Sequence, residues 1–550
     1  MILETSWEVC NKMGGIYTVL SSRARVMMEK HNGRVVFIGP KIPARDAAPA
    51  DFVAECPEYL QDWFDKEAPF LGLEVQVGYW KVPGNPPAVL VDFAPMWEAR
   101  SVVYYEIWEA YGIDHTKGYG DYDEASLFSI AAAKVMMSLY RHLHQGGERS
   151  VAIFNEWQTG NGLLYLKKYC PDLHTMFLTH ATTVGRSIAG NNKALYAYMA
   201  QYDGDVMARE LNVEAKHAVE KAAAHKCDCF ATVSKLTAME CKQLLDKEPE
   251  AVLPNGFEPD FVPVGQEYIA KRKEARELLL RVAKALTGHE INKNALLMSL
   301  SGRYEYRNKG IDLYIEALHK AGHSTELGKE VVAFILVPAW VSAPRADLNY
   351  LLQHSEVSNE APLQHPVITH WLFNMSEDSI MKQLHTFGIN NNSGGKLKII
   401  FVPCYLNGAD GIFNKSYYDL LIGMDLTIYP SYYEPWGYTP LESIAFGVPT
   451  ITTNLSGFGL WALDELGKNE TLAPEKYPVK IVMRDDFNAA EASSSIADKI
   501  CCLSRGTCGS PDDFRESALQ LSVKAQWSHF YYYYLKAYDF IFEQRVNQSH

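Results

Sequence analysis

Residues 1–40 read MILETSWEVCNKMGGIYTVLSSRARVMMEKHNGRVVFIGP, and the succession of textures in them decides the fold. A short apolar run leads into Asn11-Lys12-Met13-Gly14-Gly15. Residues 16–30 then carry apolar side chains at helical spacing. His31-Asn32-Gly33 ends that helix, and 34–39 is a β-branched strand. Strand, glycine turn, helix, strand is the opening unit of a doubly wound parallel sheet.

The texture repeats along the chain. VAIFN (151–155), TMFLTHA (175–181) and CFATVS (229–234) read as strands ending in polar residues. AVLPNGFEPDF (251–261) breaks the series with Pro-Asn-Gly, which sets a domain boundary and makes 1–255 one Rossmann-like domain. A second series follows within 256–508: ALLMSLSGR (295–303), VVAFILVPA (331–339), KLKIIFVP (396–403), LTIYPS (426–431) and VPTITTN (448–454). Residues 340–394 are looser and polar and read as an insertion. Residues 509–550 read as a C-terminal helical segment, and the aromatic residues of FYYYYL (530–535) point all round a helix, which predicts burial between domains. The fold class expected is α/β with two doubly wound domains.

Bulk properties narrow the function. A length of 550 residues exceeds one core, and a net charge of -14 argues against duplex nucleic acid or an anionic membrane held by bulk charge. The ten cysteines lack a CxxC pair, and KCDCF (226–230) reads as two buried thiols more readily than as metal ligands. A reducing compartment fits that usage. The N-terminus has no signal-peptide pattern, and no apolar run nears the ~20 residues of a membrane span. The expectation is a cytoplasmic protein with no membrane partner.

Four clusters carry chemistry. In YYEPWGYTPLES (432–443), Thr439-Pro440-Leu441-Glu442 fits a helix start, with Thr439 as N-cap, Pro440 at N1 and Glu442 closing a capping box. The helix follows a strand end, where open α/β sheets bind ligands, and its N-terminus favours a phosphate. Gly437 lets a ligand approach the backbone. Glu434 precedes the helix and lies among Tyr433, Trp436 and Tyr438, a sugar-contacting combination. In SGRYEYRNKGID (301–312), Arg303 and Lys309 at a strand-end loop form a clamp for a diphosphate, with Arg307 as a decoy. In THATTVGRSIAG (179–190), His180 ends a strand with Arg186 six residues on. The fourth is the turn holding Lys12, Gly14 and Gly15, which lacks a full G-x-G-x-x-G. Two Rossmann-like domains facing across a cleft would bring the four together.

WEVCNKMGGIYTV, THATTVGRSIAG, SGRYEYRNKGID and PSYYEPWGYTPLESIAFGVPTITTNLSGFG together resemble the animal and fungal type of glycogen synthase, in order from about residue 3 to 535. The resemblance implies the GT-B fold, with the last helix crossing back to the N-terminal domain. It implies transfer of glucose from UDP-glucose to the non-reducing-end 4-hydroxyl of an α-1,4-glucan such as glycogen, with retention, no metal and no cofactor beyond the co-substrate. By the same resemblance Glu434 is the essential carboxylate facing the donor glucose, and Arg303 and Lys309 are the diphosphate clamp. His180 stands beside the transferred glucose and Arg186 near the donor phosphates. Trp436, Gly437, Tyr438 and Thr439 surround glucose and phosphate, and Glu442 binds the ribose. Gly14 and Gly15, after Lys12, match the N-terminal glycine turn, and Asn255 a polar residue near the hinge.

Departures from the family pattern matter too. Asn155-Glu156-Trp157 stands where the family has His-Glu-Trp, with Glu156 carried over to the acceptor side. The insertion is shorter than in tetrameric relatives, which leaves a homo-oligomer open. The arginine-rich regulatory helix is reduced to Arg505 and Arg515 within 503–527, which reads as an unregulated, bacterial-type member. Rival readings are an ADP-glucose-using or small-acceptor transferase, a pyridoxal-phosphate glucan phosphorylase, and a non-catalytic glycan-binding protein.

Overall fold

The computed structural model of the chain describes residues 1–42, 51–354, 361–391, 394–468 and 473–548. The chain forms two compact units, Met1–Glu258 with Ala525–His550, and Pro259–Lys524. The second switch comes at Ala525, not at 509 as the sequence reading has it. The reason is that the helix Pro511–Lys524 packs on the helices Tyr438–Ala445 and Gly457–Gly467 and stays with the second unit.

Among the described residues the first unit has nine strands: β1 (Ile2–Thr5), β2 (Val35–Pro40), β3 (Phe52–Val53), β4 (Glu74–Trp80), β5 (Pro87–Asp92), β6 (Val151–Asn155), β7 (His174–Thr179), β8 (Cys229–Thr232) and β9 (Ala251–Val252). Their spatial order is β3-β4-β5-β2-β1-β6-β7-β8-β9. All neighbours pair in parallel except around β4, which is antiparallel to β3 and β5. The order from β5 to β8 is that of a Rossmann fold, and it reverses between β1 and β6.

The second unit repeats the plan with β10 (Leu296–Ser301), β11 (Val331–Leu336), β14 (Leu397–Val402), β15 (Leu426–Ile428), β16 (Thr450–Thr453) and β17 (Val479–Val482). Their order is β14-β11-β10-β15-β16-β17, all parallel, with the reversal between β10 and β15. Apolar residues alternate between two cores. Met298, Ala333, Ile335, Ile399 and Phe401 join one, and Leu297, Val332, Phe334, Ile400 and Val402 join the other. A sheet covered on both faces needs such unbroken apolar strands. The expected insertion at 340–394 contains a two-stranded sheet of β12 (Val341–Pro344) and β13 (His370–Leu372) and the helices Ala346–Gln353 and Ser379–Thr386. Its residues 355–360 and 392–393 lie outside the described residues.

Two sequence expectations need correction. The helix Trp527–Gln548 is not buried all round: Tyr531 and Tyr534 are inside, whereas Tyr532 and Tyr533 are 53% and 39% exposed. One face packs on the helix Gly15–Lys30, where Trp527 Nε1–H donates to Ser22 Oγ at 2.8 Å. Cys502 and Cys508 form a disulfide, a pairing not read from the sequence, and the other cysteines, including Cys227 and Cys229, are free thiols. Among the described residues no helix is long and apolar enough to cross a membrane.

Candidate active site

In the second unit the two loops leaving the reversal point are sewn together. The Asn308 carbonyl accepts the N–H groups of Tyr432 at 2.9 Å and Tyr433 at 3.2 Å. Gly310, at φ 69°, turns into the helix Ile311–His323, and a Cβ there would sit 2.1 Å from the Pro430 carbonyl oxygen. These contacts bring Lys309 Nζ to 2.6 Å from Glu434 Oε2, with side-chain exposures of 16% and 14%. Ser431 Oγ donates to the same oxygen at 3.4 Å. Arg303, the other half of the expected clamp, is 64% exposed and pairs with Glu305 at 2.8 Å. Arg307, the decoy, lies with its guanidinium 4.8 Å from the Tyr432 ring centroid.

Glu434 is held through its backbone. Its carbonyl accepts from Gly457 N–H at 3.0 Å, and the Trp436 carbonyl accepts from Phe458 N–H at 2.8 Å and Ser456 Oγ–H at 2.9 Å. The Trp436 ring is buried beside Phe458 and Trp461, so it walls the loop instead of lying on its surface.

The helix is Tyr438–Ala445, with Gly437 as N-cap at φ 116° and no side-chain cap. This corrects the capping box: Tyr438 and Thr439 open the helix, and Pro440 falls in the first turn, where its missing N–H costs no bond. Glu442, freed from capping, accepts from the Tyr418 hydroxyl at 2.7 Å. Loss of water raises its pKa to about 7, and the Tyr418 hydrogen bond pulls the other way.

The first unit gathers residues at its own reversal point. Glu8 Oε2 accepts the N–H groups of Gly14 at 2.7 Å and Tyr17 at 2.9 Å, so a carboxylate sits on the first turn of the helix Gly15–Lys30. A Cβ on Gly14 would lie 3.0 Å from Glu8 Oε1. Lys12 is exposed, its Nζ 5.7 Å from the Tyr17 ring centroid.

Glu156 stands at φ 67°, ψ 167°, a conformation costly for any residue but glycine. Its Oε1 accepts the N–H groups of His180 at 2.9 Å and Ala181 at 3.1 Å, so the carboxylate carries the next loop from beneath. Burial pushes its pKa to about 7, against the pull of Arg186 and those two N–H bonds. Arg186 is exposed on the helix Thr183–Gly190, which is capped by Thr182. His180 is 8% exposed and its Nε2 lies 3.1 Å from Asn155 Oδ1. Burial, with Arg23 and Arg186 nearby, holds its pKa down to about 3. Asn255 is buried, and its Oδ1 makes no hydrogen bond.

Two further carboxylates support the same loop and escaped the sequence reading. Glu220 accepts from Thr183 N–H at 2.9 Å, and Glu240 from the Thr182 hydroxyl at 2.8 Å. Burial, then the neighbouring Glu156, raises the Glu220 pKa to about 8. The available signal was a glutamate on an apolar helix face, with Val219 and Ala223 buried around Glu220.

Among the described residues His370, Cys404 and Asp410 bring three ligand-type atoms within 4.8 Å of one another. The Asp410 carboxylate already accepts N–H groups from Ile412, Phe413 and Asn414, and His370 Nε2 bonds the Asp410 carbonyl. That bonding makes the group a loop anchor.

Solved structures share the architecture. A sucrose-phosphate synthase from Thermosynechococcus elongatus aligns over 99% of both chains with a TM-score of 0.52 at 14% identity. The N-terminal domain of a Candida albicans trehalose-6-phosphate phosphatase aligns over 98% of this chain and 99% of its own with a TM-score of 0.53 at 11% identity. The fold is therefore GT-B, that of glycosyltransferases built from two Rossmann-like units. The glycogen synthase family profile matches residues 4–347 and 345–549. A glycogen [starch] synthase of Neurospora crassa is 28% identical over 535 residues, covering 86% of this chain and 74% of the relative. Isoform 2 of Saccharomyces cerevisiae is 28% identical, covering 90% and 79%. The chain belongs to the glycogen synthase family.

Proposed function

We propose that the chain transfers glucose from UDP-glucose to the non-reducing-end 4-hydroxyl of an α-1,4-glucan with retention of configuration. The observation that carries this reading is the Lys309–Glu434 contact of 2.6 Å at the sheet reversal, beside the helix that opens after Gly437. A lysine there offsets the charge that a departing diphosphate gains, and the helix N-terminus adds to it. Arg303, on the surface of the same loop, closes on the diphosphate when donor binds.

In this reading the C1–oxygen bond to UDP breaks through an oxocarbenium-like state. The acceptor 4-hydroxyl attacks C1 on the same face and gives its proton to the departing phosphate oxygen, leaving UDP and a glucan one residue longer. Glu434 faces the sugar and Glu442 the ribose. Gly437, Tyr438, Thr439 and the main chain of Trp436 line glucose and phosphate, with the buried Trp436 ring as the wall behind them. His180, Arg186, Asn255, Lys12, Gly14 and Gly15 serve the same reaction from the first unit, with Glu156 as the support of the His180 loop. UDP-glucose is co-substrate, and neither metal nor cofactor is called for. The reading includes a cytoplasmic location, checked by fractionation.

The test is UDP and ADP release from the two glucose donors, each with glycogen and with maltose. UDP release with glycogen alone is the expected outcome, and ADP release in its place would move the protein to the ADP-glucose reading. Trapping a glucosyl–Glu434 adduct would replace front-face attack by double displacement. Glucose 6-phosphate, which the resemblance assigns to the arginine-rich helix of regulated relatives, should leave the rate unchanged. Arg505 is paired with Glu326 at 2.6 Å and Arg515 with Asp512 at 2.5 Å.

A further inference from the structure

The hydrogen bonds around His180 determine which of its ring nitrogens carries the proton. Asn155, the last residue of β6, is 1% exposed. One terminal atom of its amide lies 2.9 Å from Glu4 Oε1 and 3.0 Å from the Thr5 carbonyl oxygen. Glu4 is ion-paired with Arg23, whose Nη2 reaches both carboxylate oxygens at 2.5 and 2.6 Å. Both neighbours of the amide atom are therefore acceptors, so that atom is the nitrogen, and both of its hydrogens are spent.

The other terminal atom is then the carbonyl oxygen, and it lies 3.1 Å from His180 Nε2. A carbonyl oxygen only accepts, so Nε2 carries the hydrogen. Nδ1 is left as the bare nitrogen, and no described residue bonds it. The charged groups facing the ring agree with a neutral imidazole. Arg23 and Arg186 both repel a proton there, and Glu156 spends Oε1 on the His180 and Ala181 main-chain N–H groups. The Arg23 end of the chain is itself locked, its guanidinium 4.3 Å from the Tyr534 ring centroid and 5.8 Å from that of Trp527.

We infer that Asn155 is a positioning residue that holds His180 as the neutral Nε2–H tautomer, so that His180 offers a sugar hydroxyl an acceptor at Nδ1 and not a proton. The sugar part of this rests on the proposed function; the tautomer does not. An imidazole at position 155 carries one hydrogen per nitrogen and has no atom that donates twice. The asparagine that departs from the family pattern therefore writes the tautomer through its amide.

The test is 15N NMR of the full chain labelled at histidine, with His180 signals assigned by their loss in His180→Gln. A protonated Nε2 and a bare Nδ1, unchanged between about pH 5 and 9, are expected. A protonated Nδ1, or an imidazolium within that range, overturns the inference without any positioning variant. Asn155→Leu removes the acceptor, and His180 should then populate both tautomers while kcat/KM for the donor falls at least tenfold. Retention of the single Nε2–H tautomer in that variant would also overturn it. If the leucine variant does not fold, Asn155→Ser, which lacks the amide, is measured in its place. A correct tautomer with unchanged turnover in His180→Gln would remove the sugar contact and leave the positioning role of Asn155 intact.

Discussion

Lys309 Nζ and Glu434 Oε2 lie 2.6 Å apart across two loops joined by the Asn308 carbonyl. The two side chains form one electrostatic unit, so their losses should not add. Lys309→Ala is expected to lower kcat by about 10²–10³, the range for removing one group aimed at developing charge. Lys309→Arg should not restore it, because a planar guanidinium does not replace a point charge at that spacing. The double variant Lys309→Ala/Glu434→Gln should be little worse than the poorer single one. Steady-state UDP release from these three variants and from Glu434→Gln alone is the measurement, and additive losses would separate the two residues.

Glu442 should impose a pH dependence on donor use. In the proposed role its ionised form accepts ribose hydroxyls, and its pKa of about 7 places half-ionisation in the working range. We therefore expect kcat/KM for UDP-glucose to rise with pH through about 7. The Tyr418 hydroxyl stabilises the charge, so Tyr418→Phe should move the midpoint upward. A profile between pH 5.5 and 8.5 that is flat, or a midpoint that moves down, would contradict this.

The parts of the fold legible in the sequence were those whose physics is local. Parallel strands buried on both faces must be largely apolar, as VVAFIL and the IIFV of β14 are, so β11 and β14 were plain. The antiparallel pair β4 and β5 was missed, since one side of β4 meets water and its pattern is mixed. The capping box failed for a tertiary reason. Ser456 bonds the Trp436 carbonyl and Gly437 takes a positive φ, so the helix opens at Tyr438, one residue ahead of the proposed N-cap. Arg303, Lys309 and Glu434 lie in the loops that follow β10 and β15, where the sequence places them, whereas Glu442 sits past the first turn of the helix Tyr438–Ala445, and the side-chain partners of the four were not legible. Tyr418 lies 24 residues from Glu442 in the chain, and Glu4 lies 151 from Asn155. Nothing near either residue encodes such a contact.

Two glycines should respond unequally to alanine. At Gly437 the added Cβ would meet Pro440 Cγ and Ser456 Oγ at 3.2 Å and Glu434 Cγ at 3.3 Å, on a backbone at φ 116°. Strain of ~1–3 kcal/mol and a displaced Glu434 are expected, with activity lost more than stability. At Gly310 the Cβ would lie 2.1 Å from a main-chain oxygen, which no rotamer relieves. Gly310→Ala should lower Tm further and unseat Lys309. Thermal melts beside UDP-release rates distinguish the two, and equal effects on both readouts would argue against the placement of Gly437.

The buried carboxylates under the His180 loop should make the protein less stable as pH rises. Glu156 and Glu220 have folded-state pKa values of about 7 and about 8, above the ordinary 4.5. The folded chain therefore binds their protons more tightly than the unfolded chain. That contribution is complete below about 4.5 and is lost as pH climbs through 7 and 8. Glu220→Gln keeps an oxygen for the Thr183 N–H, and the Thr179 hydroxyl, 3.3 Å from the other oxygen, can turn to accept from the new amide. The substitution removes the titration without removing the contacts. The fall in unfolding free energy between pH 5.5 and 8.5 should shrink by roughly 3 kcal/mol relative to the parent chain. Chemical denaturation at the two pH values measures it. Glu156 is coupled to Glu220 and is relieved when that charge is removed, which shrinks the fall further, so an unchanged or steeper fall would mean that Glu220 is ionised in the folded state.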